Sequence, residues 1–354
     1  MTNLHPPLSA ASTARNEAID LLRAIGLVLV MLAHVSPPEW LFQLRNFDVP
    51  MLVIAAGMSF ALSSAVTQWG AYVWKRFKRL VIPVWVFLAG YFLVLHALNG
   101  SAAPDTHTML SSFFLGSGIG FVWVIRVFLL VALVAPLIAH VDASLPDNRQ
   151  WLIYWLGLYA LSAALLWSIS LLVAGTPAAR VELITHYLLP YAFVFWLGLR
   201  AGRLPDSLLL AIALASAAIC GGLALWHAGL VGSFVQTQEF KYPPALYYLS
   251  YALPLSIASW FAARPLARYA ATQPRLHALV SFVGQNSIWI YLWHIPVVMA
   301  FDGTGTAPWY LILIACLLWS VAITALQVQL VNRLLLPRVG PARLRADLRM
   351  VLTG

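Results

Sequence analysis

Charged residues are scarce in this sequence: Asp, Glu, Lys and Arg make up only 9% of its 354 residues, against roughly 25% in a typical globular domain. Hydrophobic residues make up 62%. A soluble protein of this length could not bury so much apolar surface, and a disordered chain needs the opposite balance of charge and hydrophobicity. Both classes are therefore excluded, and the composition predicts a protein embedded in a lipid bilayer.

Cysteine is equally scarce. Cys220 and Cys316 each lie within a long apolar run, whereas a disulfide framework or a zinc site needs clustered, regularly spaced cysteines. We therefore interpret both as small buried residues and expect no metal. The formal net charge of +9 does not indicate nucleic acid, because no basic face is interleaved with aromatic residues in the way that nucleic-acid-binding proteins show.

Ten segments are apolar over about the 20 residues that a transmembrane helix needs. They are residues 18–35, 49–67, 81–98, 121–140, 151–173, 184–201, 207–227, 244–262, 283–301 and 308–331. The first segment carries Arg23 and is too long for a signal-peptide core, so we do not interpret it as a cleaved signal. The sequence thus predicts an all-α polytopic integral membrane protein with about ten transmembrane helices.

The basic residues between these segments alternate in number. If the N-terminus is cytoplasmic, sixteen Lys and Arg residues fall on the cytoplasmic side, as the positive-inside rule requires, and three fall on the other side. The three are Arg45, Arg180 and Lys241. The sixteen are Arg15, Lys75, Arg76, Lys78, Arg79, Arg149, Arg200, Arg203, Arg264, Arg268, Arg275, Arg333, Arg338, Arg343, Arg345 and Arg349. This asymmetry predicts that both termini are cytoplasmic.

Three regions follow from this reading. Residues 1–17 are predicted to form a cytoplasmic N-terminal lead, and residues 18–335 a ten-helix membrane domain. Residues 336–354 are predicted to form a basic cytoplasmic tail that lies against anionic lipid.

Two ionisable residues share one face of the first segment. Arg23 and His34 are eleven residues apart, which returns to within about 20° of the same helix face and separates them by roughly 16 Å along the axis. Titratable groups inside a bilayer are costly and are functional candidates by default. Either residue alone is more simply a snorkelling arginine or an interfacial histidine, but their shared register favours a functional pair.

A basic cluster, Lys75-Arg76-Phe77-Lys78-Arg79, precedes the third segment. Arg76 and Arg79 are three residues apart and share a helix face, so their guanidinium groups could fork onto phosphates. The alternative interpretation is an ordinary positive-inside cluster.

Polar residues in two other segments are weaker candidates, Arg126 toward the outer part of the fourth and His294 well inside the ninth. Trp123 and Arg126 begin the fourth segment, where Arg126 could instead pair with an outer acid or a lipid headgroup. Tyr291 and His294 lie in the ninth segment shortly before Pro296, where a satisfied core histidine is an equal alternative.

Two acids follow His34 along the chain. Glu39 and Asp48 both lie in the connection after the first segment, and either could orient the imidazole of His34. Pro37-Pro38 breaks the helix between them and His34, so the spacing does not choose between the two acids.

Four of these features, taken in order, resemble acyltransferase family three, whose members are integral membrane acyltransferases that modify bacterial surface glycans and related acceptors. Asp20-Leu-Leu-Arg23 with His34 is similar to the family's pattern of arginine, ten residues and histidine. Arg76-Phe-Lys-Arg79 is similar to its pattern of arginine, two residues and arginine. Val122-Trp123-Val124 and Tyr291-Leu-Trp-His294 resemble its tryptophan-containing and late tyrosine–histidine segments. The resemblance runs through about residues 16–335.

The resemblance implies an O-acyltransferase of the bacterial inner membrane. It implies transfer of an acyl group, commonly acetyl, from cytoplasmic acyl-coenzyme A to a hydroxyl group. The expected acceptor is a glycan, a lipid-linked sugar or a small molecule; membrane lipids are expected partners and nucleic acid is not.

The candidate residues then divide by role. The donor phosphates are expected to bind Arg76, Arg79, Lys75 and Arg23. His34 is the expected general base, with Arg23 and with Glu39 or Asp48 as its catalytic partners. The expected substrate-binding residues are Trp123, Arg126, Tyr291 and His294.

The main alternative function is a transporter or flippase of a lipid-linked or small-molecule substrate. Ion-coupled carriers usually place carboxylates near the bilayer midplane, whereas all twelve acids of this sequence lie in loops or near the ends of segments. This argues against ion coupling but leaves passive or lipid-linked export open. An assembly factor without chemistry is a third alternative.

Overall fold

The computed structural model describes residues 10–63, 68–99, 104–116, 118–172, 183–301 and 307–354. Residues 1–9 of the predicted N-terminal lead, and Arg180, lie outside the described residues. Every regular element in the described part is helical, and no β-strand is present there. The all-α prediction is therefore confirmed.

The helices follow the predicted segments but differ from them in length. The α-helices of the described residues are α1 (Ala10–Ala33), α2 (Glu39–Leu44), α3 (Asp48–Ala61), α4 (Trp69–Asn99), α5 (Thr106–Phe113), α6 (Trp123–Ala143), α7 (Asn148–Leu172), α8 (Leu189–Ala201), α9 (Asp206–Val231), α10 (Leu246–Ala271), α11 (Pro274–Gln285), α12 (Ser287–Phe301), α13 (Trp309–Leu330) and α14 (Ala342–Thr353). Short π-helical segments precede α8 at Leu183–Leu188 and follow α13 at Val331–Leu335, and 3₁₀ turns occur at Thr237–Phe240 and Leu336–Arg338.

Five helical stretches of the described residues are long and apolar enough to cross a membrane. They are Trp69–Leu98, Trp123–Ala143, Asn148–Ile169, Asp206–Val231 and Trp309–Arg338. The chain is therefore a multi-pass membrane protein. The count of ten spans and the orientation of the termini stay predictions.

The end of α1 is set by a turn and two prolines. The His34 amide donates a hydrogen bond to the Met31 carbonyl (3.0 Å), and Ser36 has a positive φ of 50°. Pro37 and Pro38 then prevent the helix from continuing, and α2 begins at Glu39. His34 is thus held at the end of the first helix, as Pro37-Pro38 predicted.

Two glycines let α3 and α8 cross at backbone contact. A Cβ atom on Gly57 would lie 2.3 Å from the Phe195 carbonyl oxygen, and one on Gly198 would lie 2.2 Å from that of Ile54. Small residues at a helix crossing allow the close approach that stabilises packing inside membranes. The crossing holds α3 against α8, and α3 also packs against α1, where it forms one wall of the site.

Helix α1 lies at the centre of the site because it packs against α3, α10, α11 and α12. Its residues Leu22 and Met31 are fully buried. Gly284 of α11 leaves room for Asp20 of α1, since a Cβ at Gly284 would lie 2.6 Å from the Asp20 Cβ. The packing of α12 on α1 brings residues that are 260 positions apart into contact.

The predicted ninth segment is interrupted. The helix breaks at Asn286, whose side-chain amide donates to the Phe282 carbonyl (2.7 Å) and whose backbone leaves the helical region. Asparagine often ends a helix in this way, because its side chain competes for local backbone groups. Residues 283–301 are therefore divided between α11 and α12.

The predicted tail contains a helix that packs onto the membrane domain. Helix α14 contacts α4 and α13. Trp289 Nε1 donates to the Val351 carbonyl (2.9 Å), and Gln327 Nε2 donates to that of Leu352 (2.7 Å). These bonds hold the end of α14 against α12 and α13.

Candidate active site

A cavity of about 210 Å³ lies between α1, α3, α4, α6 and the α11–α12 junction. Three arginines line one end, Arg23 of α1 and Arg76 and Arg79 of α4. We call this the basic end. Most of the remaining wall is apolar, and Tyr291 of α12 also lines the cavity.

Arg23 is held in place by two side chains. Its Nη1 donates to Asp20 Oδ1 (2.8 Å), and its Nη2 donates to Ser59 Oγ (2.6 Å). Ser59 in turn donates to the Ala55 carbonyl (2.6 Å). The guanidinium of Arg23 is thus fixed at the cavity wall, and the alternative of a lipid-facing arginine does not apply.

The other two arginines of the basic end lie near Tyr72 and Asp20, and the Asp20 carboxylate attracts Arg79 as well as Arg23. Arg76 lies over the ring of Tyr72, with its Cζ 5.1 Å from the centroid. Among the described residues, neither Arg76 nor Arg79 forms a salt bridge. With Asp20 paired to Arg23, the basic end carries surplus positive charge that an anionic ligand would neutralise.

The two lysines of the cluster do not line the cavity. Lys78 pairs with Asp347 of α14 (2.5 Å). Lys75 is exposed and does not line the cavity. The structure therefore brings Arg76 and Arg79 to the cavity, as their spacing predicted, and leaves Lys75 outside it.

One face of α1 runs from the basic end toward His34. Arg23, Leu27 and Val30 all line the cavity, and His34 follows Val30 by four residues. Spacings of three and four residues keep side chains on one helix face. His34 itself does not line the cavity; the residue that touches both is Tyr291, whose ring centroid lies 6.5 Å from that of His34.

A second histidine contacts His34. His34 Nδ1 lies 2.9 Å from His294 Nε2, and the two rings lie edge to edge in nearly the same plane, with centroids 5.2 Å apart and planes at 14°. His294 is fully buried, and its other ring nitrogen, Nδ1, is hydrogen-bonded to the Tyr291 carbonyl. His294 is therefore a direct partner of His34 and not only part of the wall.

Phe121 and Tyr291 complete the surroundings of the histidine pair. The Phe121 ring meets His34 edge-on at a centroid distance of 4.8 Å. The Tyr291 hydroxyl donates to the Phe121 carbonyl (2.6 Å). Together they separate the apolar cavity from the histidines, so Tyr291 stands at the boundary between the two.

The two acids expected to orient His34 do not do so. Asp48 is buried and accepts hydrogen bonds from Arg45 Nη1 (2.8 Å), the Val49 amide (2.8 Å) and Lys241 Nζ (3.2 Å). Arg45 and Lys241 are both buried cations and share the carboxylate of Asp48. The carboxylate is therefore occupied by these donors. Glu39 is exposed and, among the described residues, makes no hydrogen bond to His34. The hydrogen bond predicted for an acid is made instead by His294.

Trp123 and Arg126 lie beside a group of tyrosines near the histidines. The Trp123 ring contacts those of Tyr242 (5.1 Å between centroids) and Tyr187 (6.1 Å). Arg126 Cζ lies 4.5 Å from the centroid of Tyr187. The guanidinium forms no salt bridge among the described residues, so the alternative interpretation, in which Arg126 pairs with an outer acid, is not found there.

Sequence reasoning did not identify Ser59 or Phe121 as members of the site. Ser59 could have been noticed in the sequence, since it is a polar residue within the apolar segment 49–67 and can pair with Arg23 of the neighbouring segment. Phe121 carried none, because one aromatic residue at a segment end resembles the many others of the interfacial belts.

Residues 16–326 match the family model for the acyltransferase domain of acyltransferase family three. This range is nearly the whole chain. No curated protein and no solved structure matches the chain. The matched range contains the three arginines of the basic end and both histidines. The chain belongs to acyltransferase family three.

Proposed function

We propose that this protein transfers an acetyl group from cytoplasmic acetyl-coenzyme A to a hydroxyl group of a glycan, a lipid-linked sugar or a small molecule, in the inner membrane of a bacterium. Membership of the family establishes an acyltransferase. The donor, the acyl group and the acceptor are our proposal. One observation carries it: a single cavity runs from three arginines to Tyr291, the residue that borders the histidine pair.

The basic end suits the phosphates of coenzyme A. Arg76 and Arg79 form no salt bridge among the described residues, and arginine binds phosphate through paired N–H donors. Arg76 and Arg79 belong to the cluster that the positive-inside rule predicts to be cytoplasmic, which supports a basic end that faces the cytoplasm, where coenzyme A is found.

The apolar part of the cavity suits the pantetheine arm. It is lined by apolar side chains such as Leu27, Val30 and Phe128, which can pack against the carbon chain of the arm. An extended arm along α1 would cover part of the roughly 16 Å between Arg23 and His34. Tyr291 would then contact the thioester end, and its ring would have to shift for the thioester to reach His34.

His34 performs the proton transfer. A ring nitrogen of neutral His34 accepts the proton of the acceptor hydroxyl as the hydroxyl oxygen bonds to the thioester carbon. The carbon–sulfur bond breaks, and His34 then returns the proton to the departing thiolate. The products are the ester and free coenzyme A, so no oxidant, metal or further reactant is needed for the balance.

Radiolabelled acetyl-coenzyme A tests this function. Purified protein in vesicles is mixed with the label and an envelope extract of the host bacterium, and acetylated product and free thiol are both measured. We expect turnover by the wild type and a loss of about 10²- to 10⁴-fold in His34→Ala, the range of general-base catalysis. His277→Ala is the matched control, because His277 lies away from the cavity beside Glu17 and should leave turnover unchanged.

Two results would overturn the proposal. Near-normal turnover in His34→Ala would remove His34 from the chemistry. No thiol release by the wild type, together with uptake of an extract component into the vesicles, would favour the transporter.

A further inference from the structure

The hydrogen-bonding atoms around the histidine pair define its proton positions. His294 Nδ1 is bonded to the Tyr291 carbonyl. A carbonyl oxygen can only accept a hydrogen bond, so His294 Nδ1 carries the proton. The Nε2 atom of a neutral His294 is then a lone-pair acceptor.

The position of the proton on His34 follows in the same way. Its Nδ1 lies 2.9 Å from His294 Nε2, and because that atom is the acceptor, His34 Nδ1 must be the donor. The proton of a neutral His34 is therefore on Nδ1, and its lone pair is on Nε2. One backbone carbonyl thus determines, through His294, which nitrogen of His34 is basic.

In the part of the chain that the structure describes, the groups around the histidine pair do not compete with His294 for His34. The rings of Phe121 and Tyr291 contact the pair. The Tyr291 hydroxyl donates its hydrogen bond to the Phe121 carbonyl. Among the described residues, His294 is the one side chain hydrogen-bonded to His34. A lone imidazole would sample both tautomers and several ring orientations, whereas this contact selects one of each.

We propose that His294 is a positioning residue that holds His34 in the Nδ1-protonated tautomer, so that Nε2 of His34 is the atom that removes the acceptor proton. This assigns His294 a role different from the substrate binding that the sequence suggested. It rests on the proposed function of His34 as general base. The pair differs from a histidine oriented by a carboxylate, because the group behind His34 is neutral.

Spectroscopy tests the tautomer without any turnover. In protein labelled with ¹⁵N histidine, the ring nitrogen shifts distinguish an imidazole protonated at Nδ1 from one protonated at Nε2. The His34 signals are assigned from their loss in His34→Gln. We expect the Nδ1-protonated form in the wild type, and a mixture of both forms in His294→Phe, which keeps an aromatic ring but lacks the acceptor. An Nε2-protonated His34 in the wild type would overturn the proposal.

Kinetics test the positioning role. His294→Phe should lower kcat by on the order of 10²-fold or more, as expected when a catalytic histidine loses its orienting partner, while the KM for acetyl-coenzyme A stays within about twofold. His294→Gln should recover much of the loss, because its side-chain oxygen can accept from His34 Nδ1. Thermal unfolding in detergent and donor binding at the basic end report whether each variant is folded.

The outcomes separate the possible failures. A raised KM for the acceptor with unchanged kcat would assign His294 to substrate binding and overturn the positioning role. Equal kcat in the Phe and Gln variants would also overturn it, since the acceptor atom would then be irrelevant. A wild type that shows no turnover but the expected tautomer would refute the proposed function and leave the hydrogen-bond assignment standing.

Discussion

Arg76 faces the cavity with no acid to neutralise it among the described residues, and its partner there is the ring of Tyr72. Arg76→Ala should therefore raise the KM for acetyl-coenzyme A by about tenfold or more, which corresponds to the loss of a hydrogen bond between charged groups. The decisive comparison is with acetyl-pantetheine, which lacks the nucleotide phosphates. We expect wild type and variant to use that truncated donor equally well.

Arg268 provides the matched control for this prediction. It is an exposed arginine late in α10, on the same predicted side of the membrane, and it does not line the cavity. Arg268→Ala should leave both donors unaffected. If Arg76→Ala impaired acetyl-pantetheine as strongly as acetyl-coenzyme A, Arg76 would act on something other than the phosphates.

The candidate residues differed in how far the sequence could specify them. Arg23, Arg76 and Arg79 were predictable as cavity residues, because each pattern lies within one helix and helical spacing fixes its face. The contact between His34 and His294 was not, since it depends on how α12 packs on α1. The sequence directed attention to acids close to His34 in the chain, whereas the real partner is 260 residues away.

At the scale of helices, the crossing of α3 and α8 depends on glycine. Gly57→Ala would place a methyl group 2.3 Å from the Phe195 carbonyl oxygen, and the backbone there cannot yield as a flexible side chain would. We expect a destabilisation of roughly 1–3 kcal/mol, the usual cost of overpacking, seen as a lower unfolding temperature in detergent. Activity should fall with it, since α3 carries Ser59.

Gly157→Ala in α7 is the comparison for that crossing. A Cβ on Gly157 meets nothing within 4 Å, so the unfolding temperature should be unchanged or slightly higher. Equal effects of the two substitutions would contradict the close approach of α3 and α8.

Helix boundaries were less predictable than helix type. The apolar pattern identified all the segments that contain α1, α3, α8 and α12 but not the break at Asn286 or the short length of α3. Hydropathy is averaged over a window and does not register a single side chain, such as that of Asn286, that donates a hydrogen bond to a backbone carbonyl of the preceding turn. The break at Asn286 lies next to the cavity, which Gln285 and Ser287 line, and irregular backbone inside a membrane is tolerated where protein surrounds it.

At the scale of the whole molecule, the long helices differ from α8 in burial. The five long apolar stretches have at most 33% of their most apolar window buried, so most of their surface faces the surroundings, although α4 and α6 among them also line the cavity. By contrast, α8 is almost wholly buried, and α1 and α12 supply the histidine pair. Length and composition identify five candidate spans among the described residues, and the other five of the ten predicted spans stay a prediction.

The orientation of the whole molecule is the remaining prediction, and the proposed chemistry depends on it. The basic end must face the cytoplasm for coenzyme A to reach Arg76, and the segment containing α2 and the Thr237–Phe240 turn must then lie on the opposite side. These two parts are joined, since Gln43 Nε2 donates to Thr237 Oγ1 (3.0 Å). They should therefore label together.

Single cysteines placed in a variant without Cys220 and Cys316 can measure this orientation. Glu39 and Glu239 are exposed near the histidine end, and Lys75 and Arg268 are exposed on the side of the arginines. In right-side-out vesicles, a membrane-impermeant maleimide should label Glu39→Cys and Glu239→Cys directly, and label Lys75→Cys and Arg268→Cys only after permeabilisation. The reverse pattern would place the arginines outside the cell, where no coenzyme A is available, and a mixed pattern within either pair would mean that the number of spans between them is not the predicted one.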